Sequence, residues 1–312
     1  KKNSDCVVAV QANSHPQDSD TVEYDKDNVI NTIFFKNSKK EKINNATASI
    51  FYFKKNEIKN LSFKKNSIKD IVRNILPLFI KKKRLHSYKT IEYLNDFGTT
   101  DRLSDVKYAV KKGNIKNLFL KYKKTAVFLS RDGVINKKLH YGIKNVNEFT
   151  ILPKVGDAIA KLNLNNIPCF LISNQSVLAK KQINLVNFRK IIVYLDKYLS
   201  KHKAYLDDFL FCANYKNIKY NYKKISFFSK YKKPNPGMIL TLAKKYNINL
   251  RKSYYIGSSE TDILSGKLAN LKTIFINNIK YKNYQLSIKP NYSVKDLYGA
   301  VNLVLRHKKW KN

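Results

Sequence analysis

The chain has 312 residues, of which 43% are hydrophobic, and a formal net charge of +39 at pH 7. This composition excludes an intrinsically disordered chain and is sufficient for two globular domains. The longest apolar run, residues 75–80, is far shorter than the roughly 20 residues that cross a bilayer, so we predict no membrane association. Three sparse cysteines argue against a disulfide framework and predict a cytoplasmic location.

The positive charge raises the question of nucleic-acid binding. Only seven of the 61 basic residues are Arg, and the lysines are spread along the whole chain. Lys, Asn, Ile, Tyr and Phe share AT-rich codons, so we interpret the charge mainly as mutational bias. No zinc-finger, RRM or basic-zipper pattern accompanies the lysines. We therefore predict no specific nucleic-acid partner and keep a basic polyanion-binding protein as an alternative.

Residues 1–115 alternate short strand-like runs with polar turns. Their apolar patterns predict strands at residues 7–10, 21–24, 29–35 and 48–53, and helices at residues 67–79 and 100–110. The Lys-rich segment 116–123 is the predicted linker to the next domain.

Residues 124–280 follow a regular strand–helix rhythm. The predicted strands are 126–129, 168–172, 209–212, 253–256 and 273–276, and the predicted helices are 155–164, 185–202, 238–246 and 261–269. Such alternation indicates an α/β fold with a doubly wound, Rossmann-like parallel sheet, which binds ligands beyond the carboxyl ends of its strands. Residues 281–312 form a predicted tail with a packing helix at 294–305.

Four short motifs fall at the ends of these predicted elements. They read SRDG at 130–133, SNQS at 173–176, KPNPGM at 233–238 and GSSETD at 257–262. Each alone is weak, because a Ser after a strand is more often a helix cap and a Lys-Pro pair is usually a turn. In this order, each beside a strand or helix edge, they are specific.

Residues 124–278 resemble the haloacid dehalogenase superfamily, and more closely its branch of heptose bisphosphate and histidinol phosphatases. The branch motifs read roughly FLDRDGVIN, TNQSGIARG, CRKPxPGM and GDxxSDxxAG. This chain reads FLSRDGVIN, SNQSVLAKK, YKKPNPGM and GSSETDILSG. The resemblance implies hydrolysis of a phosphorylated sugar, with heptose bisphosphate as the first candidate substrate, through an aspartyl phosphate.

The resemblance also implies residue roles. Asp132 matches the general acid and base, Ser173 the phosphate-binding hydroxyl, and Lys233 the lysine that offsets developing charge. Three positions match the lining of the substrate pocket, namely Asn174, Gln175 and Lys180.

The family's Mg²⁺ site implies a further set of positions. In the family the ion is held by the nucleophile, by the backbone carbonyl at the position of Asp132, and by the Asp of the GD motif. Ser258 stands at that last ligand position, and Asp262 matches an outer carboxylate. Because Ser258 cannot supply the missing charge, we expect Mg²⁺ to bind weakly or not at all.

The second departure is Ser130, which stands where the family has its nucleophile. A seryl phosphate is an unactivated monoester whose uncatalysed hydrolysis is among the slowest known, so we predict impaired catalysis. Two carboxylates with Mg²⁺ sum to zero charge, as do two serines without metal. Lys233, Ser173 and the loop N–H groups could therefore still attract phosphate in a metal-free pocket.

Three alternatives to a phosphatase of sugar bisphosphates follow from this segment. One is a catalytically dead pseudoenzyme that binds a phosphosugar or a protein partner. Another is a histidinol-phosphate phosphatase. The third is a decaying gene whose product retains no binding.

Many members of the branch carry a zinc site, of which only Cys212 remains in this chain. The other ligand positions hold Asn214, Ser229 and Tyr231, so we predict no zinc. His140 falls in the loop after the first motif, which faces substrate in the family, and is a candidate for weak ligand binding.

The first region also carries a resemblance. The stretches NSHPQDSD at 13–20, ASI at 48–50 and EYLNDFGTTDR at 92–102 resemble the C-terminal half of sugar-1-phosphate nucleotidyltransferases. There the Asp that matches Asp96 helps to hold a metal at the triphosphate. This chain has no Gly-rich nucleotide loop before that half, so we predict a partial domain without nucleotide transfer.

Overall fold

The structure is a computed structural model that describes residues 4–36, 38, 40, 42–61, 70–94, 100–111, 115, 118–213, 230–277 and 286–309. The described chain falls into two compact units, divided between Thr90 and Ile91. The domain limits proposed from the sequence, 1–115, 116–123, 124–280 and 281–312, remain a prediction. No helix among the described residues is long and apolar enough to cross a membrane.

The first unit is built on a five-stranded sheet of order β3-β2-β4-β1-β5. Neighbouring strands are antiparallel except β1 and β5, which are parallel. The strands are β1 (Cys6–Gln11), β2 (Thr21–Tyr24), β3 (Ile30–Phe34), β4 (Ala46–Phe53) and β5 (Leu85–Lys89). The four strands predicted from the sequence are confirmed, whereas β5 was missed because its sequence LHSYK has no apolar alternation.

The described residues of this unit also form helices. They are α1 (Lys55–Lys59), a π-helical turn (Ile71–Ile75) and α2 (Leu76–Lys81). Leu76 and Phe79 of α2 are buried against Val8 of β1. The predicted helix at 67–79 is therefore shifted and divided, because Asp70 caps the π-helical turn and Pro77 occupies the first turn of α2, where a missing N–H costs nothing. Residues 67–69 of that prediction lie outside the described residues.

The second unit contains a six-stranded, fully parallel sheet of order β11-β10-β9-β6-β7-β8. Its strands are β6 (Val127–Leu129), β7 (Cys169–Asn174), β8 (Asp208–Cys212), β9 (Tyr254–Gly257), β10 (Lys272–Ile276) and β11 (Tyr292–Val294). The five strands predicted for this region are confirmed, and β11 is additional. A parallel, doubly wound sheet of the predicted class is thus present.

The described residues of this unit form seven α-helices, some of which pack on the two faces of the sheet. They are α3 (Thr100–Lys111), α4 (Val155–Leu164), α5 (Ser176–Ala179), α6 (Leu185–Lys201), α7 (Gly237–Tyr246), α8 (Glu260–Leu268) and α9 (Leu297–Lys309). α4 packs against both α6 and α9. On the other face, α7 buries Met238 and Leu242 against Phe128, Phe170 and Tyr255 of the sheet. The predicted helices, including the one in the tail, are confirmed.

Candidate functional site

The site lies where the chain reverses its direction across the second sheet. β6 and β9 are neighbours, but the chain continues from β6 towards β7 and from β9 towards β10. Ser130 follows β6 directly, and its backbone N–H donates to the carbonyl of Ile256 in β9 at 3.0 Å. Such a switch point leaves a crevice at the carboxyl ends of the two strands, where doubly wound proteins bind ligands.

Lys233 reaches this point from the loop that precedes α7. Its Nζ donates to Ser130 Oγ at 3.1 Å and to Asp262 Oδ1 at 2.6 Å. Lys233 and Asp262 are 6% and 1% exposed, so the ion pair is shielded from water. Burial by itself would raise the pKa of Asp262, but the Lys233 ammonium and the surrounding hydrogen bonds outweigh it and hold that pKa below its usual value. The Asp262 carboxyl is therefore ionised at neutral pH.

The Asp262 carboxylate is saturated with donors. Oδ1 accepts from Lys233 and from the Tyr255 hydroxyl at 2.9 Å, while Oδ2 accepts from the backbone N–H groups of Ser258 at 3.0 Å and Ser259 at 3.1 Å. Ser259 and Asp262 also form a capping box at the start of α8. Asp262 thus joins the lysine loop, the end of β9 and the first turn of α8.

The loops after β6 and β9 are in direct contact. Ser258 Oγ donates to the backbone carbonyl of Asp132 at 2.7 Å. Gly133 has a positive φ of 78°, and a Cβ there would lie 2.8 Å from Ser258 Cβ. Both the conformation and the close approach therefore require glycine at position 133.

Asp132 points its carboxylate towards two neighbours that the sequence analysis did not single out. Arg131 Nη2 donates to Asp132 Oδ1 at 3.0 Å, and Asn136 Nδ2 donates to the same oxygen at 3.0 Å. Arg131 is buried and its guanidinium lies over the Phe149 ring. The Asp132 side chain is 28% exposed. Asp132 is thus the acidic group of the site that reaches solvent, and the hydrogen bonds from Arg131 and Asn136 fix its orientation.

The second motif supplies hydroxyl and amide groups at the end of β7. Gln175 Nε2 donates to Ser173 Oγ at 2.7 Å. Asn174 Nδ2 donates to the Lys233 carbonyl at 3.1 Å, and the Lys233 N–H donates to Asn174 Oδ1 at 3.0 Å. Asn174 therefore fixes the backbone of the lysine loop. Lys180 is exposed after α5 and stands outside these hydrogen bonds.

Several predicted positions stand apart from the site. Cys212 is buried at the end of β8 and forms no disulfide, and Tyr231 packs against the core beside α7. Asp96, Asn214 and Ser229 lie outside the described residues. His140 is exposed and packs edge-on against Tyr141. The absence of zinc remains a prediction.

The donor set does not fit the divalent cation of the family. Mg²⁺ in such sites is held through one or two carboxylates, but positions 130 and 258 supply hydroxyl groups. Ser258 Oγ and the Asp132 carbonyl, both at predicted ligand positions, are hydrogen-bonded to each other instead of facing a metal site. The Asp262 carboxylate is paired with Lys233. Within the described part of the chain, no group of three or more His, Cys, Asp or Glu side chains could hold a metal ion.

Tyr255 is the residue of the site that the sequence analysis missed most completely. It lies in β9, is fully buried, and its hydroxyl donates to Asp262 Oδ1 at 2.9 Å. Burial, and secondarily the Asp262 charge, raises the pKa of Tyr255 well above its usual value, so the phenol remains a donor. A tyrosine in a strand of apolar residues carries no signal for such a role.

Comparisons with known proteins relate part of this chain to a family of hydrolases. A family model described as HAD-hydrolase-like matches residues 230–300. The D-glycero-beta-D-manno-heptose-1,7-bisphosphate 7-phosphatase of Rhodopseudomonas palustris is 31% identical over 149 residues, which cover 48% of this chain and 81% of that protein. A D-glycero-D-manno-heptose-1,7-bisphosphate 7-phosphatase of Thermosynechococcus vestitus is 29% identical over 189 residues, 58% of this chain and 96% of its own length.

A solved structure supports the fold of the second unit. The D,D-heptose 1,7-bisphosphate phosphatase of B. bronchiseptica, crystallised with magnesium and phosphate, superposes with a TM-score of 0.51 at 22% identity. The superposition covers 59% of this chain and 99% of that one. Through this part of its length, the chain belongs to the HAD-like hydrolases, in the family of the heptose bisphosphate phosphatases.

Proposed function

We propose that the second unit binds the phosphate group of a phosphorylated sugar and hydrolyses it poorly or not at all. The observation that carries the proposal is the buried contact of Lys233 with Ser130 and Asp262, in which a phosphate-attracting cation remains but the nucleophile is a hydroxyl. Because the named relatives are heptose bisphosphate phosphatases, heptose bisphosphate is the first ligand to test.

Phosphate binding is supported by the donors at the crevice. An ammonium carries three N–H donors, and the contacts of Lys233 with Ser130 and Asp262 account for two of them. Ser173 Oγ accepts from Gln175, and its own hydroxyl faces the Asn174 carbonyl at 3.5 Å, long for an O–H···O bond. Lys233 and Ser173 therefore each retain an N–H or O–H group that can donate a hydrogen bond to a phosphate oxygen.

The loss of turnover is supported by the surroundings of Ser130. Its hydroxyl accepts from the Lys233 ammonium, which is a donor and not a base while it is paired with Asp262. A phosphoryl group on Ser130 would be a stable monoester, unlike an aspartyl phosphate. The donor set also lacks the carboxylates that would hold a divalent cation against the phosphate.

The test compares the wild-type chain with the double variant Ser130→Asp/Ser258→Asp on heptose bisphosphate with Mg²⁺. We expect calorimetric binding by the wild type that EDTA does not abolish, without release of phosphate. We expect phosphate release from the double variant, and none from Ser130→Asp alone, which still lacks the second carboxylate. Wild-type release at rates typical of enzymes, about 1 s⁻¹ or faster, would contradict impaired hydrolysis. Absence of wild-type binding would contradict the proposed function.

We also infer that the first unit is related to the C-terminal half of a sugar nucleotidyltransferase and by itself lacks the Gly-rich loop that cradles a triphosphate. Support comes from two of the three matching stretches, which flank β2 and lie within β4, whereas the third, at 92–102, follows the division between the units. Nucleoside triphosphate should not bind these residues in equilibrium dialysis, and saturable binding with metal would overturn the inference. A cytoplasmic location is supported by Cys6, Cys169 and Cys212, which form no disulfide.

A further inference from the structure

Tyr255 occupies an unusual place, because a core side chain ends in the functional site. Its ring belongs to the buried cluster that also contains Phe128 and Phe170. Its hydroxyl reaches the functional site, where it donates to Asp262 Oδ1 at 2.9 Å. Buried tyrosines usually find a partner for their hydroxyl, but here the partner is the carboxylate that pairs with Lys233.

The position of the hydroxyl is fixed by packing on the opposite side of the ring. Gly266 of α8 lies against it so closely that a Cβ at that position would be 3.0 Å from both Cβ and Cδ1 of Tyr255. Thr273 of β10 would be 2.7 Å from the same added atom. The ring therefore cannot withdraw towards α8, and its hydroxyl is held at the carboxyl end of β6.

We propose that Tyr255 is a positioning residue that keeps the Lys233 ammonium directed at the anion site. Asp262 Oδ1 accepts hydrogen bonds from both Lys233 and Tyr255. The phenol therefore uses one acceptor position of that oxygen, which would otherwise be open to the Lys233 ammonium. The ammonium is thereby limited to one contact with Asp262 and retains its contact with Ser130. Tyr255 thus fixes the position of the Lys233 ammonium beside Ser130, at the position where the family has a carboxylate nucleophile. The ligand in this inference rests on the proposed function, whereas the positioning of Lys233 by Tyr255 does not depend on it.

The test uses Tyr255→Phe, which removes the hydroxyl and preserves the ring. The matched control is Tyr246→Phe, because Tyr246 lies in the same buried cluster and its hydroxyl donates to Asp208 at 2.6 Å, in hydrogen bonds that do not involve Lys233. Binding of inorganic orthophosphate to the full-length chain is measured by calorimetry. We expect Tyr255→Phe to weaken it about tenfold, as for loss of one hydrogen bond to a charged group, and Tyr246→Phe to leave it unchanged.

A second readout follows the Lys233 ammonium itself. Exposed lysine ammonium groups exchange their protons too fast to be seen by ¹H–¹⁵N NMR, whereas buried, hydrogen-bonded ones are protected. Among the described residues, three lysines are less than a tenth exposed, namely Lys89, Lys124 and Lys233. We expect Tyr255→Phe to shift or broaden the Lys233 signal and to leave that of Lys124, which donates to the Tyr122 and Tyr246 carbonyls at 3.0 Å, in place.

The two readouts separate the outcomes. If the wild type does not bind orthophosphate, the proposed function fails, while the Lys233 signal still decides whether Tyr255 orders the ammonium. An unchanged Lys233 signal in Tyr255→Phe, or equal loss of binding in both variants, overturns the positioning role. If the Phe variant does not fold, Tyr255→Met, which is also large, apolar and without a hydroxyl, takes its place with the same expectation.

Discussion

At the scale of single residues, Lys233 contacts a residue of each of the three other motifs of the site. Its ammonium contacts Ser130 and Asp262, and its backbone is paired with Asn174. Removal of one member of a buried ion pair leaves the other charge without a partner in a medium that solvates it poorly. Lys233 should therefore contribute to stability as well as to binding.

We expect Lys233→Met to lower the free energy of unfolding by about 3–5 kcal/mol, because it leaves the Asp262 carboxylate buried and uncompensated. The control is Lys245→Met, because Lys245 pairs with Asp208 at 2.8 Å and its side chain is 32% exposed. Its loss should cost about 0–1 kcal/mol. Urea unfolding measures both, and an equal cost for the two variants would contradict the central place of Lys233.

At the scale of elements, strand β4 contains a local irregularity. Its pairing with β1 shifts between Val8, opposite Phe51, and Val10, opposite Thr47, so β4 has two additional residues in this interval. Ser49 lies within it, is exposed, and has a φ of 56°. This left-handed conformation costs an L-residue about 1–2 kcal/mol.

We expect Ser49→Gly to raise the free energy of unfolding by up to about 1 kcal/mol, because the relief of strain exceeds the added entropy of glycine in the unfolded chain. Ser49→Val should lower it, since a β-branched side chain is least tolerated at positive φ. Thermal unfolding ranks the three proteins. A glycine variant less stable than the wild type would show that the bulge is not strained.

The elements also show where local pattern is sufficient and where it is not. Short apolar runs identified β6, β7 and β9, which are buried almost throughout, and helical spacing identified α6. β5 was missed because His86, Ser87 and Lys89 are buried by neighbouring strands although they are polar. Burial of such residues depends on what packs beside them, which no local window contains.

At the scale of the whole molecule, the two units have separate hydrophobic cores. One is built around Val8, Leu76 and Phe79, and the other around Phe128, Phe170 and Tyr255. Neither cluster includes a residue of the other unit. Loss of packing in one core should therefore loosen that unit first.

We expect Leu76→Ala, at a fully buried position, to cost about 2–5 kcal/mol and to accelerate amide hydrogen exchange in β1, β4 and β5. Exchange in β6, β7 and β9 should be unchanged. Ile172→Ala in β7, also fully buried, should produce the reverse pattern. Hydrogen-exchange mass spectrometry on the full chain measures both, and equal acceleration in all six strands would show that the units unfold as one.

The sequence by itself determined the element types, the parallel α/β class of the second unit, and four motifs that indicate the family. It also identified Ser130 and Ser258 as departures from that family. These features are local, because they depend on residues that are neighbours in the chain. The tertiary structure decided which side chains of different motifs meet: Ser258 at Asp132, and Lys233 between Ser130 and Asp262. The contacts between different motifs arise because the strand order places β6 beside β9, although more than a hundred residues of chain separate them. That strand order cannot be read from the spacing of residues along the chain.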